Sequence, residues 1–163
     1  MTDTSASSPL NRRRLFLVVV DESEEMRVAL RYAALRAFHT GGRVALLAVV
    51  EPPEVQFSKA LEERMAEERR EEAEQLLAKL TAEINDICGT TPIVYIREGR
   101  RRDELFALID EEPSISVIVL AAGAGSEGPG PLITALIGRT EQLRVPVTIV
   151  PGSLSDEEIA ALA

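Results

Sequence analysis

Four glycines lie close together in the segment VIVLAAGAGSEGPGPLITALIG, residues 117–138. They separate an apolar stretch that is typical of a strand from one that is typical of a helix. The glycines are Gly123, Gly125, Gly128 and Gly130. Because glycine readily adopts positive φ, such a loop can turn its amides, with those of the helix that follows, toward an anion. The segment therefore indicates a candidate phosphate site.

Other residues of the same loop oppose this interpretation. Pro129 and Pro131 each remove a backbone N–H donor, and Glu127 places a negative charge beside the expected phosphates. Two like unit charges 4 Å apart repel by about 4 kcal/mol at an effective dielectric constant of 20. Thr134 offers a hydroxyl, and Arg139 offers a positive charge that would offset Glu127. The alternative is a glycine–proline loop that only connects a strand to its helix.

Short apolar stretches predict the strands of the fold that must position this loop. They cover residues 15–20, 44–50, 92–97, 115–122 and 145–150. Helical periodicity follows each of the first four stretches, and a further helical segment follows the last. This strict alternation predicts an α/β fold with a doubly wound parallel sheet and helices on both faces. We expect five strands in the order 3-2-1-4-5.

The helix ends are predicted from capping residues. Ser23 is the expected N-cap of the first helix, which Gly41 ends, and Ser58 is the expected N-cap of a long helix over residues 59–87. The third helix covers residues 102–112. Gly130 and Pro131 begin the fourth, which is expected to run to about Arg144, and Ser155 with Glu158 forms a capping box that opens a terminal helix. We therefore predict a disordered segment at residues 1–11, a domain at 12–152 and a short helical tail at 153–163.

Composition argues against several classes of protein. The chain of 163 residues is 45% apolar and suits a single domain with an ordinary core. Aromatic residues make up 4%, tryptophan is absent and the net charge is −9, so we expect no nucleic-acid partner. Two basic clusters, Arg12–Arg14 and Arg100–Arg102, run against this charge, and we interpret both as solvated surface.

The chain has one cysteine, Cys88, and one histidine, His39. We interpret the cysteine as a small buried apolar residue and the histidine as a partner of the C-terminal end of a helix dipole. A single cysteine cannot form an internal disulfide, which favours a reducing compartment. No apolar stretch approaches the roughly 20 residues of a membrane span. We predict a cytoplasmic protein with no membrane contact.

The chain resembles the universal stress protein family over nearly all of residues 15–152. The segment Val20-Asp21-Glu22-Ser23 matches the family pattern V-D-x-S after its first strand, VALLAVVEP matches the usual second strand, and the long second helix fits too. The resemblance implies an adenine-nucleotide site at the carboxyl ends of strands 1, 2 and 4. It places Asp21 against adenine and ribose, and the backbone of Val49 at the adenine edge.

The family pattern after the fourth strand, G-x-x-G-x(9)-G-[ST], fits this chain in two registers. Gly125, Gly128 and Gly138 satisfy the glycine spacing, with Arg139 in place of the hydroxyl residue. This register leaves too few residues for the last full helix. Alignment on the flanking strands instead brings Thr134 near the hydroxyl position, in the first turn of the helix. We prefer this second register, in which Gly138 lies inside the helix.

The resemblance implies a stress-response regulatory module that senses ATP or AMP, with Mg²⁺, and that forms a homodimer through its last strand. An interaction protein of the same fold that binds no nucleotide is the alternative. A slow ATP hydrolase, in which Asp21 or Glu22 positions a water molecule, is a further alternative. We predict that the protein is not an enzyme, with no catalytic residue and no metal site of its own.

Overall fold

The computed structural model describes residues 14–163, so the predicted disordered segment 1–11 and residues 12 and 13 of the first basic cluster lie outside the described residues. Strands and helices alternate along the described chain. In order, they are β1 (Leu15–Val20), α1 (Glu25–Thr40), β2 (Arg43–Val50), α2 (Lys59–Cys88), β3 (Ile93–Glu98), α3 (Arg101–Glu111), β4 (Ile115–Ala122), α4 (Pro131–Ile137), a 3₁₀ turn (Thr140–Gln142), β5 (Val147–Pro151) and α5 (Asp156–Leu162).

The five strands form one parallel sheet in the order β3-β2-β1-β4-β5, which confirms the predicted fold. β1 is central, and all six of its residues are buried, as a continuous apolar strand in a parallel sheet requires. Its last residue, Val20, pairs with Ala48 of β2. The chain order reverses between β2 and β4 on either side of β1, so the topological switch point lies at the carboxyl end of β1.

Two apolar layers cover the two faces of the sheet. Alternate residues of β1 divide between them, so Val18 faces α1 and α2 whereas Leu17 faces α3 and α4. Leu80 and Ile84 of α2 belong to the first layer, and Leu105 of α3 belongs to the second. Helices therefore lie on both faces, as predicted.

α2 spans 30 residues from Lys59 to Cys88, and Ser58 caps it as predicted by accepting a hydrogen bond from the Leu61 amide. Only the C-terminal half of its apolar stripe is buried, at Leu77, Leu80 and Ile84. A 30-residue helix is about 45 Å long, against about 26 Å for the eight residues of β2, so one end must extend past the sheet. No helix within residues 14–163 is long and apolar enough to cross a membrane.

The prediction that Ser23 caps α1 is wrong. The helix begins at Glu25 with Glu24 as its N-cap, and no side chain caps it. Ser23 instead donates its backbone N–H and its hydroxyl to the carboxylate of Asp21. A carboxylate accepts more strongly than a backbone carbonyl does, and an aspartate readily closes a turn with the residue two positions on.

The prediction that α4 runs to about Arg144 with Gly138 inside it is also wrong. The helix ends at Ile137, Gly138 is its C-cap, and Arg139 leaves helical geometry at φ −138°. Arg144 is held elsewhere, because its guanidinium donates to the carbonyl oxygens of Ile109 and Glu112 at the end of α3. A glycine that weakens the helix and an arginine that is bound to another helix together stop α4 after seven residues.

The terminal helix α5 begins with the predicted capping box. Ser155 accepts a hydrogen bond from the Glu158 amide, and the Glu158 carboxylate accepts one from the Ser155 amide. Ile159 is fully buried, and α5 packs along α1. His39, in the last turn of α1, lies with its Nδ1 3.0 Å from the carbonyl oxygen of Ala163.

Candidate functional site

Two adjoining clefts lie at the carboxyl ends of the central strands, where parallel sheets of this topology bind ligands. The larger cleft, about 410 Å³, lies between the ends of β1 and β2 and helix α2. The smaller, about 180 Å³, lies between the ends of β1 and β4 and the start of α4. Asp21 and Arg101 line both clefts, so these two side chains stand where the clefts meet.

Asp21 follows the last residue of β1, and its carboxylate is held in place by the turn that it closes. Its Oδ1 accepts the Ser23 amide at 2.8 Å and the Ser23 hydroxyl at 2.5 Å. Among the described residues nothing donates to Oδ2. The carboxylate thus stands fixed at the junction of the clefts with one oxygen available to a ligand.

Val49 lines the larger cleft from β2. β1 ends at Val20, which pairs with Ala48, so Val49 lies one residue past the last pairing with β1. The carbonyls of the next two residues are already engaged, since Val50 accepts from the Gly99 amide at 3.1 Å and Glu51 accepts from the Arg69 guanidinium at 2.7 Å. These bonds hold the end of β2 in place where its backbone lines the larger cleft.

Of the four glycines of the loop, Gly123 and Gly130 line the smaller cleft, together with Pro129. The Gly123 amide donates to the Pro129 carbonyl at 3.1 Å, so the loop closes on itself and this N–H is not free for an anion. Gly128 and Gly130 have positive φ, of 89° and 114°, whereas Gly123 and Gly125 do not, contrary to the expectation for all four. Gly125 and Gly128 are exposed at the loop tip and line neither cleft.

The remaining predicted site residues lie on α4. Thr134 is in the first turn, as expected, but it is exposed, and its hydroxyl donates to the Gly130 carbonyl at 2.9 Å. A threonine inside a helix commonly bonds back to the carbonyl four residues earlier. Gly138 and Arg139 follow the other end of α4, about 10 Å along the helix axis from its start. None of the three lines either cleft.

The structure thus brings together four of the nine predicted site residues, and leaves the other five outside the two clefts. The four are Asp21, Val49, Gly123 and Gly130. The five are Gly125, Gly128, Thr134, Gly138 and Arg139.

Arg101 lines both clefts, and the sequence interpretation did not include it among the candidate residues. It is the first residue of α3, three positions after the last residue of β3, and its side chain is 33% exposed. Its Nη1 lies 3.6 Å from Oε1 of Glu51, and its Nε is buried with no hydrogen-bond partner among the described residues. Arg101 is therefore only partly solvated, in contrast to the solvated surface expected for Arg100–Arg102. The available signal was its position after the third strand, since the carboxyl ends of parallel strands meet at one edge.

Charges around the larger cleft are unequal. Four carboxylates and two guanidinium groups line it; they are Asp21, Glu22, Glu51, Glu72, Arg69 and Arg101. Arg69 donates one N–H to the backbone of Glu51 and lines only the larger cleft, whereas Arg101 lines both clefts and its buried Nε has no partner among the described residues. Among residues 14–163, no group of three or more His, Cys, Asp and Glu side chains is arranged to hold a metal ion.

Comparison with known protein families finds one match. A model of the universal stress protein family matches residues 13–151. Universal stress protein UspA from Lactobacillus plantarum has a similar structure, with a TM-score of 0.74, 16% identity, and coverage of 85% of this chain and 98% of that chain. The hypothetical protein MJ0577 gives a TM-score of 0.74, 20% identity, and coverage of 88% and 99%.

A third similar structure contains a ligand. It is the universal stress protein from Archaeoglobus fulgidus in complex with dAMP, with a TM-score of 0.59, 18% identity, and coverage of 85% of this chain and 97% of that chain. Because these identities are low, the structures support the fold alone. Any ligand of this chain has to be inferred from the residues of this chain. A search of curated proteins finds no match.

Proposed function

The chain belongs to the universal stress protein family, and from this premise we propose that it is a stress-response regulatory module that senses an adenine nucleotide, ATP or AMP. One observation carries the proposal. Asp21 and Arg101, a fixed acceptor and an open donor, stand together where a nucleoside-sized cleft meets a smaller cleft beside the glycine loop. The nucleotide would lie across this junction.

The residues present fit the parts of a nucleotide. A volume of about 410 Å³ falls in the usual range for small-molecule sites, about 300–1,000 Å³. The backbone of Val49 would lie at the edge of the base, Ala48 and Val50 offer apolar contacts, and the open oxygen of Asp21 would accept a hydrogen bond from a ribose hydroxyl. The unpartnered Nε of Arg101 is a donor without a protein acceptor, which a bound anion would satisfy.

The similar fold in complex with dAMP supports the same class of ligand. A Mg²⁺ ion would accompany ATP as part of the ligand, held by phosphate oxygens.

We propose that the protein acts by binding and not by catalysis. A slow ATP hydrolase is the second candidate, because Asp21 and Glu22 both line the larger cleft and would be near a bound phosphate. Steady release of phosphate from ATP, lost in Asp21→Ala, would establish hydrolysis.

We further propose a homodimer through β5. This strand lies at the edge of the sheet and pairs only with β4 among the described strands. An apolar groove of about 360 Å³ runs beside it, where Ile137 is 59% and Ile149 is 41% exposed. An unpaired apolar edge invites a partner strand. Sedimentation should give a dimer for the native chain and a monomer for Ile149→Lys; a monomeric native chain would refute this arrangement.

We place the protein in a reducing compartment, the cytoplasm, because it has a single cysteine.

Thermal unfolding tests nucleotide binding. Ligand at 100 times its dissociation constant stabilises a protein by about 2.7 kcal/mol, an increase of roughly 5–10 °C in Tm for a chain of this size. We expect such an increase with AMP or with ATP and Mg²⁺, and a smaller one in Asp21→Ala. No shift at millimolar concentration of either nucleotide would favour the interaction protein that binds no nucleotide.

A further inference from the structure

We propose that Arg101 holds the phosphate of the bound nucleotide, and that the site therefore selects a nucleoside monophosphate over a triphosphate. The inference rests on the proposed function. It further states which residue binds the phosphate and how many phosphates the site accepts.

The guanidinium of Arg101 has a hydrogen-bond donor available for an anion. Its Nε is buried without a partner among the described residues, and its Nη1 is 3.6 Å from the Glu51 carboxylate, longer than a charge-assisted hydrogen bond. A buried donor without an acceptor is costly, so a ligand that supplies an acceptor gains affinity from it. The neighbouring Arg102 lines a wider surface cavity of about 640 Å³ that it shares with Arg101, but its Nε already donates to Asp103 at 3.3 Å and it lines neither of the two clefts.

The glycine loop supplies little at this point. The Gly123 amide is bonded to Pro129, and neither Pro129 nor Pro131 has an N–H. Gly125 and Gly128, whose amides were expected to contact phosphate, lie outside both clefts. Arg101 is the one cationic side chain among the described residues that line the smaller cleft, and it lines the larger cleft as well.

The number of phosphates follows from charge and from the shape of the guanidinium. One guanidinium forms a planar fork that matches one phosphate with two parallel hydrogen bonds. A phosphate monoester carries about −1.5 to −2 at pH 7, and each further phosphate adds negative charge. The carboxylates of the larger cleft would repel those added charges, because they already outnumber the guanidinium groups and include Glu51 beside Arg101 itself. A single phosphate satisfies Arg101 with the least repulsion.

Calorimetric titration of three ligands against four proteins separates the contributions. The ligands are adenosine, AMP, and ATP with Mg²⁺; the proteins are the native chain, Arg101→Ala, Arg101→Lys and the matched control Arg102→Ala. Adenosine lacks the group that Arg101 binds, so it reports the base and ribose contacts alone. Thermal unfolding of each protein without ligand checks that the variants fold.

In the native chain we expect AMP to bind at least about 10-fold more tightly than adenosine and than ATP with Mg²⁺. Arg101→Ala should weaken AMP by about 10- to 100-fold and leave adenosine within about 2-fold, because only the phosphate contact is removed. Arg101→Lys, which keeps the charge but loses the fork, should fall between, and Arg102→Ala should match the native chain.

Equal losses of AMP and adenosine affinity in Arg101→Ala would assign the residue a structural role and overturn the inference. So would an unchanged AMP affinity, or a native chain that prefers ATP. In each of these cases the native chain still binds nucleotide, and the proposed function survives. A native chain that binds none of the three ligands would instead refute the proposed function, and the inference with it. If Arg101→Ala does not fold, the native preference and Arg101→Lys decide.

Discussion

Two leucines on one helix stripe test how the tertiary structure distributes stability. Leu61 and Leu80 both belong to the apolar stripe of α2, but Leu80 is completely buried in the core and Leu61 is 43% exposed. Replacement of either leucine by alanine removes the same atoms. Leucine and alanine are both good helix formers, so the helix propensity changes little. The two substitutions therefore differ almost entirely in burial.

We expect Leu80→Ala to destabilise the protein by about 3–5 kcal/mol, the cost of lost burial plus the cavity left behind. Leu61→Ala should cost less than about 1 kcal/mol, as for a substitution at a largely exposed site. At about 2–4 °C per kcal/mol, Leu80→Ala should lower Tm by roughly 6–20 °C and Leu61→Ala by less than about 4 °C.

Urea unfolding followed by circular dichroism measures both variants beside the native chain, and the midpoint gives the free-energy difference where the slope is unchanged. Similar losses in the two variants would refute the reasoning, because they would mean that the N-terminal half of α2 is buried as well. A small loss in Leu80→Ala would equally refute the assigned core.

Further predictions concern the glycines, the terminal helix and the sheet edge. Gly152→Ala should lower the free energy of unfolding by about 1–3 kcal/mol, because the added Cβ would overlap the Ala122 carbonyl oxygen and come within 2.6 Å of Glu25 Cγ. Gly125 has open space around it and an ordinary φ, so Gly125→Ala should be neutral or slightly stabilising in the same urea experiment. Ser155→Ala removes the cap of α5 and should cost about 1 kcal/mol, seen as a Tm lower by roughly 2–4 °C; an unchanged Tm would mean that the cap adds nothing to global stability. Burial, with a smaller contribution from Glu112, raises the pKa of Tyr95 above 10.0, so the fold favours the neutral phenol. This stabilisation is present at pH values below the unfolded pKa and is lost as the pH rises through the folded one; Tyr95→Phe should unfold less readily than the native chain in alkaline solution, and equal alkaline sensitivity of the two would contradict this.

Local sequence patterns were sufficient for most of the fold. The central strand consists of six apolar residues because both of its faces are covered. The N-terminal ends of α2 and α5 are set by Ser58 and Ser155, whose hydroxyls accept hydrogen bonds from amides three residues away. Interactions of such short range are present in the sequence itself. The pattern failed at Ser23 and at the end of α4, where a competing partner decided the outcome.

The candidate site divides in the same way. The family resemblance implied Asp21 and Val49, and both line the larger cleft because each lies at the end of a strand and the ends of parallel strands share one edge. The glycine loop was overestimated, since glycine spacing cannot reveal that the Gly123 amide is bonded to Pro129. Arg101 was missed because its neighbours Arg100 and Arg102 have the same residue type, and only the direction of each side chain distinguishes them.

The sequence by itself thus determined the alternation of strands and helices, the buried centre of the sheet and the edge at which a ligand would bind, because these depend on hydrophobic periodicity and on capping between near neighbours. The tertiary structure alone decided which half of α2 is buried, where α4 ends and which arginine faces the clefts. Those outcomes depend on contacts between residues far apart in the chain, such as Arg144 with Ile109 and Arg101 with Glu51, and no local pattern encodes them.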